Sequence, residues 1–179
     1  MRTTFLTLIA AAICVGAWSQ AASVNWMTIE EAVEAQQREP RKIVMDVYTK
    51  WCGPCKMMMA NTFTNPDVID YLNANYYPVK FDAESADPVT FQGQTYTNPN
   101  YVPNKPGRNG VHQFSQALGV RAYPTLVFLD EKSAIIAPIS GYKTPPQLEL
   151  YLRFFEDAYT PSVAQSDWEA YQNTFQPSW

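Results

Sequence analysis

The stretch Trp51-Cys52-Gly53-Pro54-Cys55-Lys56 follows an apolar run, residues 42–48, whose composition is typical of a buried strand. Pro54 suits the first turn of a helix, where its missing N–H group costs nothing. Two cysteines separated by two residues are typical of half a zinc site, of a structural disulfide or of a redox-active dithiol. The stretch therefore predicts a strand, a turn and a helix that begins at the cysteine pair.

The surroundings of the two cysteines favour the redox-active dithiol. Zinc needs about four ligands of Cys, His or carboxylate type, whereas the chain has only Cys14, near its start, and His112 besides this pair. A disulfide across so short a loop constrains the unfolded chain little, because the entropic gain grows with loop length. At a helix N-terminus, unpaired N–H groups and the helix dipole would stabilise a Cys52 thiolate. Cys55, three residues on, would lie on the same helical face.

Asp46 interrupts the apolar strand that precedes the cysteines. A carboxylate in such a strand is costly if it is ionised and unpaired. Burial raises the pKa of a carboxyl group, which would suit Asp46 to exchange a proton with the Cys55 thiol, directly or through water. Two alternatives stay open: Asp46 caps a turn or lies at a sheet edge, and Lys80 is an exposed strand-end lysine and not its partner.

Several separate parts of the chain, over about residues 24–158, resemble the thioredoxin superfamily. The cysteine motif after a buried strand is similar to the family's active site, and Asp46 and Lys80 stand where the family has a buried aspartate and its lysine partner. The stretch Arg121-Ala122-Tyr123-Pro124-Thr125, before another apolar strand, resembles the cis-proline loop. Residues 61–69 are more similar to the thioredoxin-like domain of periplasmic interchange proteins of the DsbD type than to cytosolic thioredoxins.

The resemblance implies an α/β thioredoxin-like fold, a central mixed sheet flanked by helices, with an insert before the cis-proline loop. It implies that Cys52, Cys55, Asp46 and Lys80 are catalytic. It further implies that the substrate is bound around the dithiol and at the cis-proline bond, by Trp51, Gly53, Pro54, Tyr123 and Pro124. The backbone of Tyr123 would pair with an extended substrate segment, strand to strand, although the residues alone also allow a trans proline turn.

The function implied by the resemblance is that of a thiol–disulfide oxidoreductase of disulfide-containing proteins, with no cofactor. Gly53 and Pro54 between the cysteines are similar to those of reducing thioredoxins, which favours a reductase that receives electrons from a membrane interchange protein. Two alternatives stay open: a disulfide oxidant or isomerase of secreted proteins, and a binding or chaperone module whose disulfide stays closed. The direction of electron flow depends on how strongly the folded site stabilises the thiolate.

The start of the chain has the features of a secretory signal peptide. Met1-Arg2, an apolar run over residues 5–18 and the small residues before position 22 predict cleavage after residue 21. A retained membrane anchor is the alternative, but the run is shorter than the roughly 20 residues that a spanning helix needs. We therefore expect a periplasmic or otherwise extracytoplasmic protein, with a domain at 22–160 and a helical extension at 161–179.

The net charge of −4 argues against one class of partner. Removal of the signal peptide would take away Arg2 and no acidic residue, which makes the mature chain slightly more acidic. A mildly acidic surface without a basic stripe is not typical of nucleic-acid binding. We expect a monomer without a metal site.

The insert, residues 84–110, is the part of the chain least similar to thioredoxin and is rich in proline and asparagine. A hairpin is predicted around Gln92-Gly93. The insert either borders the dithiol, with Phe91, Tyr96 and Tyr101 in contact with a partner, or is a surface decoration. His112, just beyond it, is predicted to lie on a solvated helix surface.

Overall fold

The fold is organised around strand β1, Lys42–Tyr48, in which all residues but the last are buried. Such a strand must be covered on both faces. The computed structural model describes residues 23–179, so the predicted signal peptide, residues 1–21, lies outside the described residues. Within the described residues, no helix has both the length and the apolar character needed to cross a membrane.

A four-stranded sheet in the order β2-β1-β5-β6 is the main architectural element. β1 pairs with β2 in parallel and with β5 antiparallel, and β6 is antiparallel to β5. A mixed sheet flanked by helices is the predicted fold class, which is confirmed. The elements of the described chain are α1 (Ile29–Arg38), β1, α2 (Gly53–Asn61), α3 (Pro66–Asn75), β2 (Tyr76–Asp82), β3 (Val89–Phe91), β4 (Gln94–Tyr96), α4 (Gln113–Ala117), β5 (Thr125–Leu129), β6 (Ile135–Ser140), α5 (Pro145–Arg153), a π-helical turn (Phe154–Ala158) and α6 (Gln165–Thr174).

The alternation of side chains along β1 divides the core into two layers. Ile43, Met45 and Val47 pack with residues of α1, α4 and the β3–β4 hairpin. Val44, on the opposite face, packs with residues of α2, α3 and α5. Because side chains two apart in a strand share a face, Asp46 lies on the same side of the sheet as Val44 and α2. The strand thus directs a buried carboxylate towards the helix that carries the cysteines.

The predicted hairpin in the insert is present as β3 and β4, joined by Gln92 and Gly93 with φ of 50° and 77°. A two-residue turn with positive φ at both positions fits the right-handed twist of the flanking strands. The prediction that Phe91 contacts a partner is wrong, because Phe91 is buried in the core layer that includes residues of α1 and α4. Tyr96 packs partly buried against the same layer, whereas Tyr101 is exposed.

The prediction that His112 lies on a solvated helix surface is also wrong. His112 is fully buried and caps α4: its Nδ1 accepts from the Phe114 N–H at 3.0 Å. Its Nε2 lies 3.1 Å from the carbonyl oxygen of Asp87. Since Nδ1 accepts and a carbonyl can only accept, Nε2 carries the proton and the ring is neutral. The histidine therefore ties the insert to α4 in a form that protonation would disrupt.

We expect the protein to lose stability on acidification through His112. Burial lowers the pKa of this histidine below its ordinary value of 6.5, although the Asp87 carbonyl partly opposes the effect. A group with a lowered folded pKa contributes stability above its unfolded pKa and loses it as the pH falls through the folded pKa. Urea unfolding at pH 7.5 and 5 should show a decrease of up to about 2 kcal/mol from this residue. His112→Asn, which keeps an N-cap acceptor without a titrating group, should reduce the decrease; an equal decrease would contradict the assignment.

The C-terminal residues fold back onto α5 through one buried carboxylate. Glu149 accepts hydrogen bonds from Ser178 N at 2.6 Å, Ser178 Oγ at 2.5 Å and Trp179 N at 3.1 Å. Arg153, one turn along α5, donates to it from Nε at 2.8 Å. Trp179 also packs against Tyr71 of α3. The tail is thus anchored to the layer that contains α2 and α3.

Glu149→Gln is expected to lower the free energy of unfolding at pH 7 by about 2 kcal/mol, because it weakens several hydrogen bonds to a buried charge. Burial raises the pKa of Glu149, but the bonds from Ser178, Arg153 and Trp179 outweigh it and bring the pKa below 4.5. The stabilisation is therefore present above pH 4.5 and lost as the pH falls through the folded pKa. Urea titrations of both proteins should converge in acid; a constant difference would contradict this account.

Candidate active site

The cysteine pair lies where β1 ends and α2 begins. Cys52 is the N-cap of α2, and its Sγ accepts from the Cys55 N–H at 3.1 Å. Pro54 lies in the first turn of α2, as predicted from its lack of an N–H group. Cys52 and Cys55 are joined by a disulfide, with their Cα atoms 5.3 Å apart. A thiolate formed at Cys52 would therefore lie at the positive end of the helix and beside a backbone N–H donor.

Exposure does not distinguish the two sulfur-bearing residues in this oxidised state, since Cys52 is 2% exposed and Cys55 3%. Their positions on α2 do distinguish them, because only Cys52 is at the N-cap. Gly53 and Pro54, which separate them, are both exposed. A side chain at position 53 would meet no atom within 4 Å. The surface over the dithiol is thus open to a large partner.

Asp46 is 1% exposed and lies on the face of β1 that α2 covers. Its Oδ2 lies 2.9 Å from Nζ of Lys80, the residue opposite it in β2. Its Oδ1 is buried and accepts no hydrogen bond within residues 23–179. Burial raises the pKa of Asp46 above its ordinary value, and Lys80 only partly opposes this rise. Asp46 is therefore a buried group whose second oxygen is free to take a proton. Lys80 is its partner and not an exposed strand-end lysine.

Lys80 connects this carboxylate to the groove beside Cys55. Besides Asp46, its Nζ lies 2.7 Å from the Met59 sulfur, 4.4 Å from the Tyr48 ring centroid and 5.0 Å from that of Trp26. Aromatic faces attract cations, so these rings hold the ammonium in place. The groove has a volume of about 460 Å³ and is lined by Tyr48, Thr49, Lys50, Cys55, Lys56, Met59, Ala60 and Lys80.

Tyr123 and Pro124 lie on the other side of the dithiol loop. The peptide bond between them is cis. Pro124 is buried, and its carbonyl accepts from the Gly141 N–H at 2.8 Å. The Tyr123 ring meets Trp51 edge-on, with centroids 6.0 Å apart. No backbone hydrogen bond joins Tyr123 to another residue of the described chain, so its N–H and C=O are open to an extended partner segment.

Trp51 has two further contacts that the sequence analysis missed. Its indole N–H donates to Glu84 Oε1 at 2.9 Å, and the guanidinium of Arg108 lies 4.4 Å from its ring centroid. Glu84 and Arg108 come from the two ends of the insert, which is thereby placed beside the dithiol. Glu84 follows β2, whose pairing with β1 is a signal that could have identified it. No sequence signal identifies Arg108, because its position depends on the path of the loop.

The structure thus brings the predicted site residues together around one dithiol. Lys80 pairs with Asp46 and lines the groove beside Cys55, Gly53 and Pro54 separate the two cysteines, and Trp51 contacts Tyr123. Within residues 23–179 there is no group of three His, Cys, Asp or Glu side chains that could hold a metal ion. What this arrangement can support chemically is reversible exchange between a dithiol and a disulfide, with a carboxylate that can take up a proton.

Comparison with known proteins agrees with this geometry. The profile of the thioredoxin-like domain family matches residues 29–156. The chain belongs to this family. Its paired cysteines are Cys52 and Cys55.

Two curated relatives of this thioredoxin-like chain differ in how much of their own length it covers. It is 23% identical over 129 residues to the thiol:disulfide interchange protein DsbD of Pectobacterium atrosepticum, covering 71% of this chain and 18% of that protein. The chain thus spans less than a fifth of the length of that relative. It is 30% identical over 84 residues to a thioredoxin-like protein of Synechocystis, covering 44% of this chain and 77% of the relative.

Solved structures share the thioredoxin-like fold at low identity. The DsbH oxidoreductase aligns with a TM-score of 0.55 and 14% identity, over 88% of this chain and 96% of that one. A thioredoxin from Thermus thermophilus aligns with a TM-score of 0.53 and 19% identity, over 73% of this chain and 85% of that one. These similarities support the predicted fold.

Proposed function

We propose that this protein is an extracytoplasmic protein-disulfide reductase that acts through the Cys52–Cys55 dithiol. The observation that carries the proposal is the position of Cys52, at the N-cap of α2 and within reach of Cys55, with a buried carboxylate behind the pair. A disulfide with only a structural role requires none of these neighbours. Their combination supports a dithiol that turns over, in preference to a binding module whose disulfide stays closed.

The first step is attack of the Cys52 thiolate on one sulfur of a substrate disulfide. The substrate S–S bond breaks, one substrate cysteine leaves as a thiolate, and a mixed disulfide joins Cys52 to the other. The Cys55 thiol then loses its proton and attacks the Cys52 sulfur. The mixed disulfide breaks, the second substrate thiolate leaves, and Cys52–Cys55 is oxidised. Two electrons have passed from the protein to the substrate.

Asp46 is proposed to accept the Cys55 proton in the second step. Its raised pKa and its free Oδ1 suit a group that takes up a proton and later releases it. Lys80 touches Asp46 and lines the groove beside Cys55, so it is proposed to place this carboxylate and to link it to solvent. Trp51, Gly53, Pro54, Tyr123 and Pro124 are proposed to bind the substrate segment.

The reducing direction and the cellular location rest on the sequence. The residues between the cysteines are Gly53 and Pro54, similar to those of reducing thioredoxins. Residues 1–21 have the pattern of an export signal, which supports an extracytoplasmic site of action. A reductase in an oxidising compartment needs a source of electrons. The relationship to thiol:disulfide interchange proteins supports a membrane interchange protein as the donor.

A single-turnover experiment tests the proposal. The protein is reduced, freed of reductant and mixed with a protein that contains one accessible disulfide. Alkylation with a heavy maleimide then counts the free thiols of each protein by mass. Loss of two thiols from this protein and gain of two by the substrate is the expected result. A dithiol that stays reduced with every substrate would contradict turnover and favour the binding module.

A further inference from the structure

The cations in residues 23–179 fall into two groups, those that pair with a carboxylate and those that do not. Away from the dithiol, most of them lie in ion pairs with carboxylates. The pairs are Arg38–Glu34, Arg41–Glu39, Lys42–Glu131 and Arg153–Glu149, with N–O distances of 2.6 to 2.8 Å. These charges are largely neutralised where they stand. Lys105, Lys132 and Lys143 are further cations without a carboxylate within 4 Å in residues 23–179.

Around the dithiol, three exposed cations have no such partner. Lys56 follows Cys55 on α2, Arg108 lies over Trp51, and Arg121 lies two residues before Tyr123 in the cis-proline loop. None of the three is within 4 Å of a carboxylate in residues 23–179. They come from three separate elements that meet at the dithiol. We call these three residues the cationic rim.

Arg108 is held in place by a structured loop. Asn98 donates from Nδ2 to the carbonyls of Ser85, at 3.0 Å, and Gly110, at 2.7 Å. Asn109 accepts from Val102 N at 2.8 Å and donates to Val102 O at 2.9 Å. The far end of the insert is thereby closed on itself on both sides of Arg108. The guanidinium thus lies over the Trp51 ring on a closed loop.

Two carboxylates near Trp51, Glu84 and Asp82, contact residues other than the rim cations. Glu84 accepts the indole N–H of Trp51. Asp82 accepts from the Glu84 N–H at 3.0 Å and lies 3.4 Å from Nζ of Lys50. Neither is in an ion pair with Lys56, Arg108 or Arg121. An anionic group of a partner is therefore the natural counterpart of the rim.

We propose that the cationic rim selects partner proteins whose reactive disulfide is flanked by aspartate or glutamate. This inference rests on the proposed function, since it names the class of substrate that the dithiol reduces. Lys56 is next to Cys55 in the chain, Arg108 lies over the Trp51 ring, and Arg121 is two residues before Tyr123, whose ring meets Trp51. Charges arranged in this way attract an oppositely charged partner during encounter and repel a partner of like charge. Selection therefore acts on the association rate and weakens as salt screens the charges.

Three synthetic peptides with the same internal disulfide test the proposal. The disulfide is flanked by glutamates in one, by glutamines in the second and by lysines in the third. The reduced protein transfers two electrons to the peptide, so its dithiol becomes a disulfide and the peptide gains two thiols. Rate constants are measured by quenched alkylation at 20 mM and 500 mM salt. Each is divided by that of 2-mercaptoethanol with the same peptide, which removes the effect of the flanking charges on the leaving thiol.

The glutamate peptide is expected to react about tenfold faster than the lysine peptide at low salt, with a smaller ratio at high salt. Arg121→Gln should reduce this ratio severalfold, and so should Lys56→Gln. Lys132→Gln removes one exposed charge from the remote turn before β6 and should leave the ratio unchanged. Equal normalised rates for all three peptides would overturn the rim proposal and leave the proposed function intact. Failure to react with any of them would overturn both.

Discussion

Serine in place of Cys55 is expected to trap the protein on its substrate. The variant keeps Cys52 at the N-cap of α2, so the first attack proceeds and forms a mixed disulfide. Without the second thiol, that bond can be broken only by the thiol that the substrate released in the first step or by an external thiol, so the complex should accumulate well above its level in the unchanged protein. Non-reducing electrophoresis or intact mass would detect it. Only a protein with both cysteines can release the reduced substrate and end with a Cys52–Cys55 disulfide.

Serine in place of Cys52 is the matched control for the trap. The Cys52→Ser variant retains the Cys55 thiol but lacks the sulfur at the helix N-terminus, so disulfide reduction should fall to background without an accumulated complex. The assignment of Cys52 to the first step and Cys55 to the second depends on this difference between the two variants. Equal trapping by the two variants would contradict the assignment of Cys52 as the attacking residue.

Asparagine in place of Asp46 is expected to slow the second step about a hundredfold while leaving the first unchanged, because general acid–base groups contribute on this scale. The mixed disulfide with Cys52 should therefore persist for longer, although Cys55 is present. Rapid alkylation at successive times resolves the two steps. Glu149→Gln is the matched control, since it also converts a buried carboxylate to an amide but lies at the tail anchor.

The same substitution at Asp46 should raise stability. Asp46 has one charged partner, Lys80, and an unpaired oxygen, whereas Glu149 is satisfied by several donors. Because the folded pKa of Asp46 is raised, its contribution is most favourable below its ordinary pKa of 3.8 and is lost as the pH rises through the folded value. At pH 7, Asp46→Asn should increase the free energy of unfolding by about 1 kcal/mol, because the amide is buried without the desolvation cost of a charge. A slower second step together with lower stability would point to a structural role instead.

Much of the fold could be predicted because local signals and tertiary contacts agree. Residues 42–48 read as a buried strand since both faces are covered, and Pro54 marks the first turn of α2. The proximity of Asp46 and Lys80 follows from parallel pairing of β1 and β2, in which they are opposite residues. These features depend on short-range pattern and on strand register.

The errors have a common physical cause. His112 and Phe91 belong to a region rich in turn-forming residues, which predicts surface. His112 is nevertheless buried with hydrogen bonds to Asp87 and Phe114, and Phe91 packs in the core. A polar side chain can be buried when each of its polar atoms has a partner. One partner of His112, the Asp87 carbonyl, is 25 residues away, and the Arg108–Trp51 contact is also distant in sequence. No periodicity or motif in the sequence indicates them.

The reduction potential of the Cys52–Cys55 pair tests the central claim most directly. The protein would be equilibrated in buffers of defined dithiothreitol ratio, quenched in acid and alkylated, and its reduced fraction counted by mass. A reductase requires a value near the roughly −270 mV of thioredoxin, and this is the predicted result. A value between about −180 and −120 mV, where isomerases and oxidants lie, would contradict the proposed direction of electron flow.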